Sequence, residues 1–277
     1  MSGHSKWHTI KHKKGAADAK RGKIFTRLIK ELTVAARGGG GDVDMNPRLR
    51  TIVAEAKANN MPRENIDRAI RRGTGEEPGV SYEEIMYEAY GPGGVALMIQ
   101  TLTDNKNRTV GEIRFLLGKW NGNLAAENSV AWMFSRKGQL FVEKGNVDED
   151  KLLAAVLDAG ADDMSDEDSA WEIVTAPETF EPVREAVKAL GVEPASAAIA
   201  MIPQNYVKLV GKDANHMIKL MEALDDHDDV QNVWANFDIE EKEIEASLGL
   251  RAVRYRQRAW RRQQLKGRRR ARAQTRG

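Results

Sequence analysis

The sequence predicts an α+β fold: a small N-terminal helical bundle followed by two α/β sandwich-like domains, the second ferredoxin-like and inserted in the first. Three observations carry this. Up to Gly73 apolar residues recur at helical spacing, and after Gly79 the period shortens to strand-like runs. Residues 139 to 202 then read as strand, helix, two strands, helix, strand, the βαββαβ order of a ferredoxin-like unit. The domains expected are a basic helical head at 1–75, an α/β domain from 80–136 plus 205–245, the insertion at 137–204, and an Arg-rich tail at 246–277, disordered when free.

The first helix is expected from Ala16 to Arg37. Ile24, Phe25, Leu28, Ile29, Leu32 and Ala36 fall within one arc of about 140°, and Lys20, Lys23, Arg27, Lys30 and Arg37 within a separate arc of about 100°. One side suits a core and the other suits phosphates. Gly38 to Gly41 should end it. Asn46 as N-cap and Pro47 in the first turn announce a second helix with Leu49, Ile52, Val53 and Ala56 inward. Pro62 opens a third carrying Ile66, Ala69 and Ile70, closed by Gly73. With few large apolar residues inward, this head is expected to move relative to the rest.

"YEEIMYEAY" and "GVALMIQTLT" read as strands joined by Gly91, Pro92, Gly93 and Gly94, a hairpin signal; the run lacks the GxxxxGK[ST] of a phosphate-cradling loop. Thr109 with Glu112 suggests a capping box for a helix presenting Val110, Ile113, Leu116 and Leu117. Within the insertion, strands are expected at Gln139–Glu143, near Asp162–Met164, at Ala170–Thr175 and at Ser196–Met201, with helices at Asp148–Ala159 and Glu178–Leu190. A helix from about Asp213 to Leu224 and the strand-like "VQNVWANF" would complete the sheet begun at Tyr82.

Cysteine is absent, which excludes disulfides, thiolate nucleophiles and Cys-based zinc sites. There is no apolar run long enough for a secretory h-region or a membrane span, so a soluble, cytoplasmic protein is expected; a transit peptide is disfavoured because the basic opening runs straight into a patterned helix. The net charge of +2 hides a segregation. Residues 1–72 hold 17 basic and 7 acidic residues, residues 73–245 hold 14 and 34, and residues 246–277 hold 12 and none. An acidic body with two basic ends fits a protein whose ends meet a polyanion, and nucleic acid is the polyanion expected.

The residues expected to touch it are Lys6, Trp7, Lys11, His12, Lys13, Lys14, Lys20, Lys23, Arg27 and Lys30, with Arg63, Arg68, Arg71 and Arg72 on the third helix. Lysines neutralise phosphates and release counterions, giving affinity that falls with salt. Trp7 could stack on an unpaired base or hold the opening segment against the bundle. No recognition helix with Asn, Gln or Arg set for a major groove stands out, which favours structured RNA over duplex DNA.

Enzyme chemistry and bound metals find little support. His4, His8 and His12 would share a helical face, but Gly3, Ser5 and Thr9 make that helix doubtful and no HExxH is present. "DDMSDED" and "DDHDD" could hold Mg²⁺ for phosphodiester hydrolysis, yet both fall at expected turns, where carboxylates are usually solvated. No catalytic constellation, metal site or cofactor is therefore expected. Trp171, Met201 and Tyr206 are core candidates that would otherwise mark partner surfaces. Arg251, Arg254, Arg256, Arg258, Arg261, Arg262 and Arg268 to Arg270, with Tyr255 and Trp260, would form an arginine-rich segment for RNA.

"GHSKW", "KGAADAKRGKIFTRLIKEL", "NPRLR", "NNMPRENIDRAIRRG", "YEAYGPGGVALMIQTLTDNKNRT", "NLAAENSVAWMF" and "KLMEALDDHDDVQNVWANFDI" together resemble the YebC family, which includes the mitochondrial translational activator of cytochrome oxidase. The resemblance spans roughly residues 2–245 and stops before the Arg-rich extension Ser247–Gly277. It implies a helical N-terminal domain plus two α/β domains and a cytoplasmic, non-enzymatic role. Members are described as DNA-binding transcriptional regulators or as ribosome-acting translation factors that relieve stalling at proline runs. The partner implied is thus DNA or the ribosome and its rRNA, with no membrane.

Overall fold

The computed structural model describes residues 18–145, 147–167, 170–240 and 243–244, with side chains from Gly22 onward. The head is built from α1 (Asp18–Gly39), α2 (Pro47–Ala58) and α3 (Arg63–Thr74). The Asn46 side chain caps α2 by accepting from the Leu49 N–H, and its amide also donates to the carbonyls of Ala35 and Gly40, tying the α1–α2 turn together. Leu28, Leu32, Leu49, Ile52, Val53, Met61 and Ile66 form a buried core of the head's own.

The helix α1 ends within the Gly38–Gly41 run as expected, running past Arg37 to Gly39, with Gly40, at φ +84°, in the left-handed conformation that stops it. Gly73 lies inside α3 rather than closing it; Gly75, at φ +85°, is the cap. A Cβ at Gly73 would sit 2.5 Å from the Thr33 carbonyl oxygen and 2.7 Å from Ala36 Cβ, so glycine there permits α1 and α3 to touch.

The first sheet has the order β3-β1-β2-β9, from β1 (Glu83–Tyr90), β2 (Ala96–Thr103), β3 (Asn123–Leu124) and β9 (Val230–Ala235). β1 and β2 form the expected hairpin around a 3-10 turn at Pro92–Gly94, with Gly93 and Gly94 at φ +68° and +79°. Helices α4 (Lys106–Lys119) and α7 (Gly211–Asp225) cover one face, burying Leu97, Ile99, Ile113, Leu117, Met217, Leu220 and Val233. The short strands β8 (Val207–Lys208) and β10 (Phe237–Asp238) pair in parallel beside it.

The second sheet has the order β5-β6-β4-β7, all antiparallel. Its strands are β4 (Phe134–Glu143), β5 (Ala161–Glu167), β6 (Ala170–Thr175) and β7 (Ser196–Pro203), and α5 (Glu149–Asp158) and α6 (Phe180–Ala189) connect them. That is the ferredoxin-like strand order, and every strand falls in sequence between β3 and β9. Phe134, Ala200 and the partly buried Met201 and Ile202 pack on Ala96, Met98 and Trp234, the helix-free face of the first sheet. Trp171 is core, with Lys144 Nζ 4.5 Å from its ring centroid, whereas Tyr206 is exposed. "DDMSDED" proves to be mostly strand: Asp162, Asp163 and Asp166 lie on β5, at the sheet edge, where charges discourage pairing with another chain.

Candidate nucleic-acid interface

Of the predicted contact residues, Lys6, Trp7, Lys11, His12, Lys13 and Lys14 lie outside the described residues, as do His4 and His8, and the Lys20 side chain does too. Lys23, Arg27 and Lys30 are described, and all three bond to the body of the protein: Lys30 is buried, Arg27 is half-buried, and Lys23 keeps 48% of its side chain exposed. Spaced four and three apart on α1, they meet the loop after α7. Lys23 Nζ donates to the Asp226 carbonyl (2.9 Å) and lies 3.3 Å from its Oδ1, while Arg27 Nη2 donates to the Asp225 carbonyl at 2.6 Å. α7 has no basic residue in its last turn. The head supplies the cations that complement the negative end of its dipole.

Lys30 is the centre of this dock. It is 7% exposed, and its ammonium donates to Asp229 Oδ1 (2.7 Å) and to the Asp228 carbonyl (3.0 Å). A phosphate cannot reach it there. Asp229 is itself buried and takes Arg108 Nη2 (2.8 Å) and the Thr109 hydroxyl (2.7 Å) on Oδ2, with the Thr103 hydroxyl at 3.3 Å. Burial alone would raise its pKa, but hydrogen bonds from Arg108, Lys30 and Thr109 outweigh it and hold the carboxyl well below the usual range. Thr109 is therefore no helix cap. The helix begins three residues earlier at Lys106, where Asn105 caps it by accepting from the Arg108 N–H, and the buried Thr109 hydroxyl is engaged with Asp229.

Asp229 is the residue sequence reasoning missed, since "DDHDD" reads as a solvated acidic run. Its one available signal was position: it immediately precedes Val230, the first residue of the buried strand β9. Glu112 and His227 lie beside it, and the ligand atoms of the three fall within 4.8 Å of one another. The arrangement suits hydrogen bonding better than a cation. His227 Nδ1 accepts from the Asp229 N–H (3.1 Å), which leaves the proton on Nε2, 2.9 Å from Glu112. With Lys30 and Arg108 already on Asp229, a divalent ion would meet two positive charges.

A second seam runs from the head across the helix-free face of the first sheet. Arg48 pairs with Glu84 at 3.0 Å, Glu84 accepts from Gln100, and Gln100 accepts from Asn232 at 2.8 Å. Together the two seams join the head to the body through named hydrogen bonds and ion pairs. Glu31 sits near this seam, and burial pushes its carboxyl up to about 7, with Glu55 adding to the rise and Arg48 and Arg27 opposing it.

Folding keeps Glu31 protonated where the unfolded chain has lost its proton, so stability falls as pH rises from the unfolded value of 4.5 through about 7. Glu31→Gln should match the wild type in urea unfolding near pH 4 and exceed it at pH 8 by about 1–2 kcal/mol. A difference that does not change with pH would show that Glu31 is not the titrating group.

The third-helix arginines divide in two. Arg68 pairs with Glu64 at 2.8 Å and Arg71 with Glu77 at 2.7 Å. Arg63 is 92% exposed in its side chain with only a 3.6 Å contact to Asp67, and Arg72 has no carboxylate within ion-pair distance among the described residues. Of the third-helix arginines, Arg63 and Arg72 are thus the two left open to a polyanion.

Comparison with known proteins decides the family. Residues 5–76 match the TACO1/YebC N-terminal domain, and residues 82–237 match the TACO1/YebC second and third domain. The chain belongs to the TACO1/YebC family. Among its YebC relatives, the probable transcriptional regulatory protein GSU1074 of Geobacter sulfurreducens is 59% identical over 245 residues, 88% of this chain and 99% of that one. The probable transcriptional regulatory protein Acid345_2125 of Koribacter versatilis is 58% identical over 249 residues, 90% of this chain and all of its own. A conserved hypothetical protein, Aq1575 of Aquifex aeolicus, has a crystal structure that matches with TM-score 0.73 at 45% identity, covering 80% of this chain and 92% of that one. The YebC fold of helices followed by antiparallel sheets is therefore shared. Among the described residues, no helix is long and apolar enough to cross a membrane.

Proposed function

We propose that this YebC-type protein is a non-enzymatic, nucleic-acid-binding regulator of gene expression whose physical target is structured RNA of the translating ribosome. The observation that carries this is the separation of charge: 17 basic against 7 acidic residues in positions 1–72, on a body of 14 against 34. A polyanion would be drawn to the head and held off the body. The dock refines the contact set. Lys23, Arg27 and Lys30 bond to the body, and Arg68 and Arg71 pair with Glu64 and Glu77, which leaves Lys6, Trp7, Lys11, His12, Lys13, Lys14, Lys20, Arg63 and Arg72 as the proposed contacts.

RNA is favoured over duplex DNA because a helix laid in a major groove needs a face free of carboxylates. α3 interleaves Glu64 and Asp67 with its arginines. Action at promoters is the second reading, favoured by the name probable transcriptional regulatory protein that relatives carry. Both place the protein where nucleic acid is, in the cytoplasm.

The test is a competition at near-physiological salt between purified ribosomes and random-sequence DNA duplex for the labelled full chain. Retention on ribosomes is expected, with Arg63→Ala/Arg72→Ala weakening it severalfold and flattening its salt dependence by about one to two phosphate contacts. Displacement from ribosomes by the duplex would overturn the RNA reading in favour of promoter binding.

A further inference from the structure

The outward face of α4 carries a combination that nothing among the described residues explains. The helix buries Thr109, Ile113 and Leu117, so at about 100° per residue its opposite side is centred on Phe115, which is 67% exposed. Gly111 and Gly118 flank Phe115 one turn before and one turn after, and Lys119 and Arg114 lie to either side. A Cβ at either glycine would meet nothing within 4 Å, and neither has the positive φ that would call for glycine. Contrast Gly73, which is needed for helix contact. A glycine inside a helix weakens it relative to alanine, so these two positions keep the helix surface bare without any benefit to packing among the described residues.

The charge of this face is also out of character. In a body with 14 basic and 34 acidic residues, α4 carries Lys106, Arg108, Arg114 and Lys119 against Glu112 alone. Glu112 is bonded to His227, and Arg108 to Asp104 and Asp229. Among the described residues Arg114 and Lys119 have no carboxylate within ion-pair distance; Lys119 lies 5.4 Å from the centroid of the Trp120 ring.

We propose that this face binds single-stranded nucleic acid, with one unpaired base stacked on Phe115 and the adjoining phosphates on Lys119 and Arg114. The proposal rests on the nucleic-acid reading above and adds a second contact, on the body rather than the head. One ring between two bare stretches of helix is too small to bury what a stable protein interface needs. Stacking works one base at a time, and cations beside the ring supply the phosphate contacts. A strand reaching from the basic head could then be held at two points.

The test uses the full chain with a labelled single strand of about 12 nucleotides, oligouridylate in one arm and oligodeoxythymidylate in the other. Phe115→Ala should weaken binding about tenfold and Phe115→Trp should restore it. Gly111→Ala/Gly118→Ala should raise the unfolding midpoint yet weaken binding, two effects of opposite sign that a structural role would not produce. Ultraviolet crosslinking of oligouridylate should place an adduct on the tryptic peptide Phe115–Lys119. Equal loss in both arms assigns the site to any single strand, and loss in the uridylate arm alone assigns it to RNA.

Wild-type affinity in Phe115→Ala, crosslinks confined to other peptides, or no oligonucleotide binding by the wild type would overturn the proposal; so would a protein captured through Phe115 while oligonucleotide binding stays unchanged. The two readings fail separately. Ribosome retention with an unaffected Phe115→Ala variant sinks only this site. Phe115-dependent oligonucleotide binding with no ribosome retention sinks only the ribosomal target.

Discussion

Asp229→Ala should lower the unfolding free energy by about 3–5 kcal/mol, read by urea denaturation with tryptophan fluorescence. The reason is what the substitution leaves behind. Lys30, 7% exposed, would keep a buried ammonium with no counter-charge, only the Leu102 and Asp228 carbonyls and the Tyr82 ring, and Arg108, Thr103 and Thr109 would lose their common acceptor. The head should loosen as well, since Lys30 is its deepest hold on the body. Lys30→Ala should cost less, because Asp229 keeps Arg108 and Thr109, and the double variant should cost clearly less than the sum of the singles. Additive losses, or an Asp229→Ala variant within 1 kcal/mol of wild type, would mean the network contributes little, on the scale of an exposed pair.

Acid should reproduce the effect late. A carboxyl whose pKa is lowered by folding contributes stability that is complete above its unfolded value and is lost as pH falls through the folded one. The Asp229 contribution therefore persists across the neutral range and fades only below about pH 3.9.

Gly73→Ala should be nearly as damaging, about 2–3 kcal/mol, although alanine is the better helix former. The new Cβ would fall 2.5 Å from the Thr33 carbonyl oxygen and 2.7 Å from Ala36 Cβ, and backbone on the facing helix cannot turn aside as a long side chain could. α1 and α3 must separate, disturbing the layer of Leu28, Leu32, Ala69 and Ile66 between and around them. Gly118→Ala is the control: it is the same exchange on an open helix face and should stabilise by up to about 1 kcal/mol. If thermal melts show the two variants changing stability in the same direction, the close approach of α1 and α3 is not what Gly73 serves.

Much of the fold was legible because it rests on short-range pattern. The apolar spacing of 25–36, the Asn46–Pro47 cap, the Gly91–Gly94 turn and the βαββαβ order at 139–202 each state a local preference, and packing agrees with them; Ile24, expected on the same stripe, is 37% exposed and lies outside the head's core. The errors were local too. Thr109 and Glu112 have capping-box spacing, but a buried acid about 120 residues away takes the Thr109 hydroxyl and Asn105 takes the cap. Gly73 reads as a helix stop because sequence does not tell a left-handed cap from a place where a second helix comes close.

The candidate site divides along the same line. By itself the sequence determined the family, the mixed α+β class, the absence of thiol chemistry and the basic-acidic-basic distribution of charge, since each depends on which residues are present and in what order. Only the tertiary structure decided which charges are free. Lys23, Arg27 and Lys30 look like a phosphate-binding face on a helical wheel, but docking places the end of α7 and Asp229 against them. Charge is a property of a residue. Whether that charge is available depends on what folding brings within about 3 Å of it, and for Lys30 that neighbour lies 199 residues away.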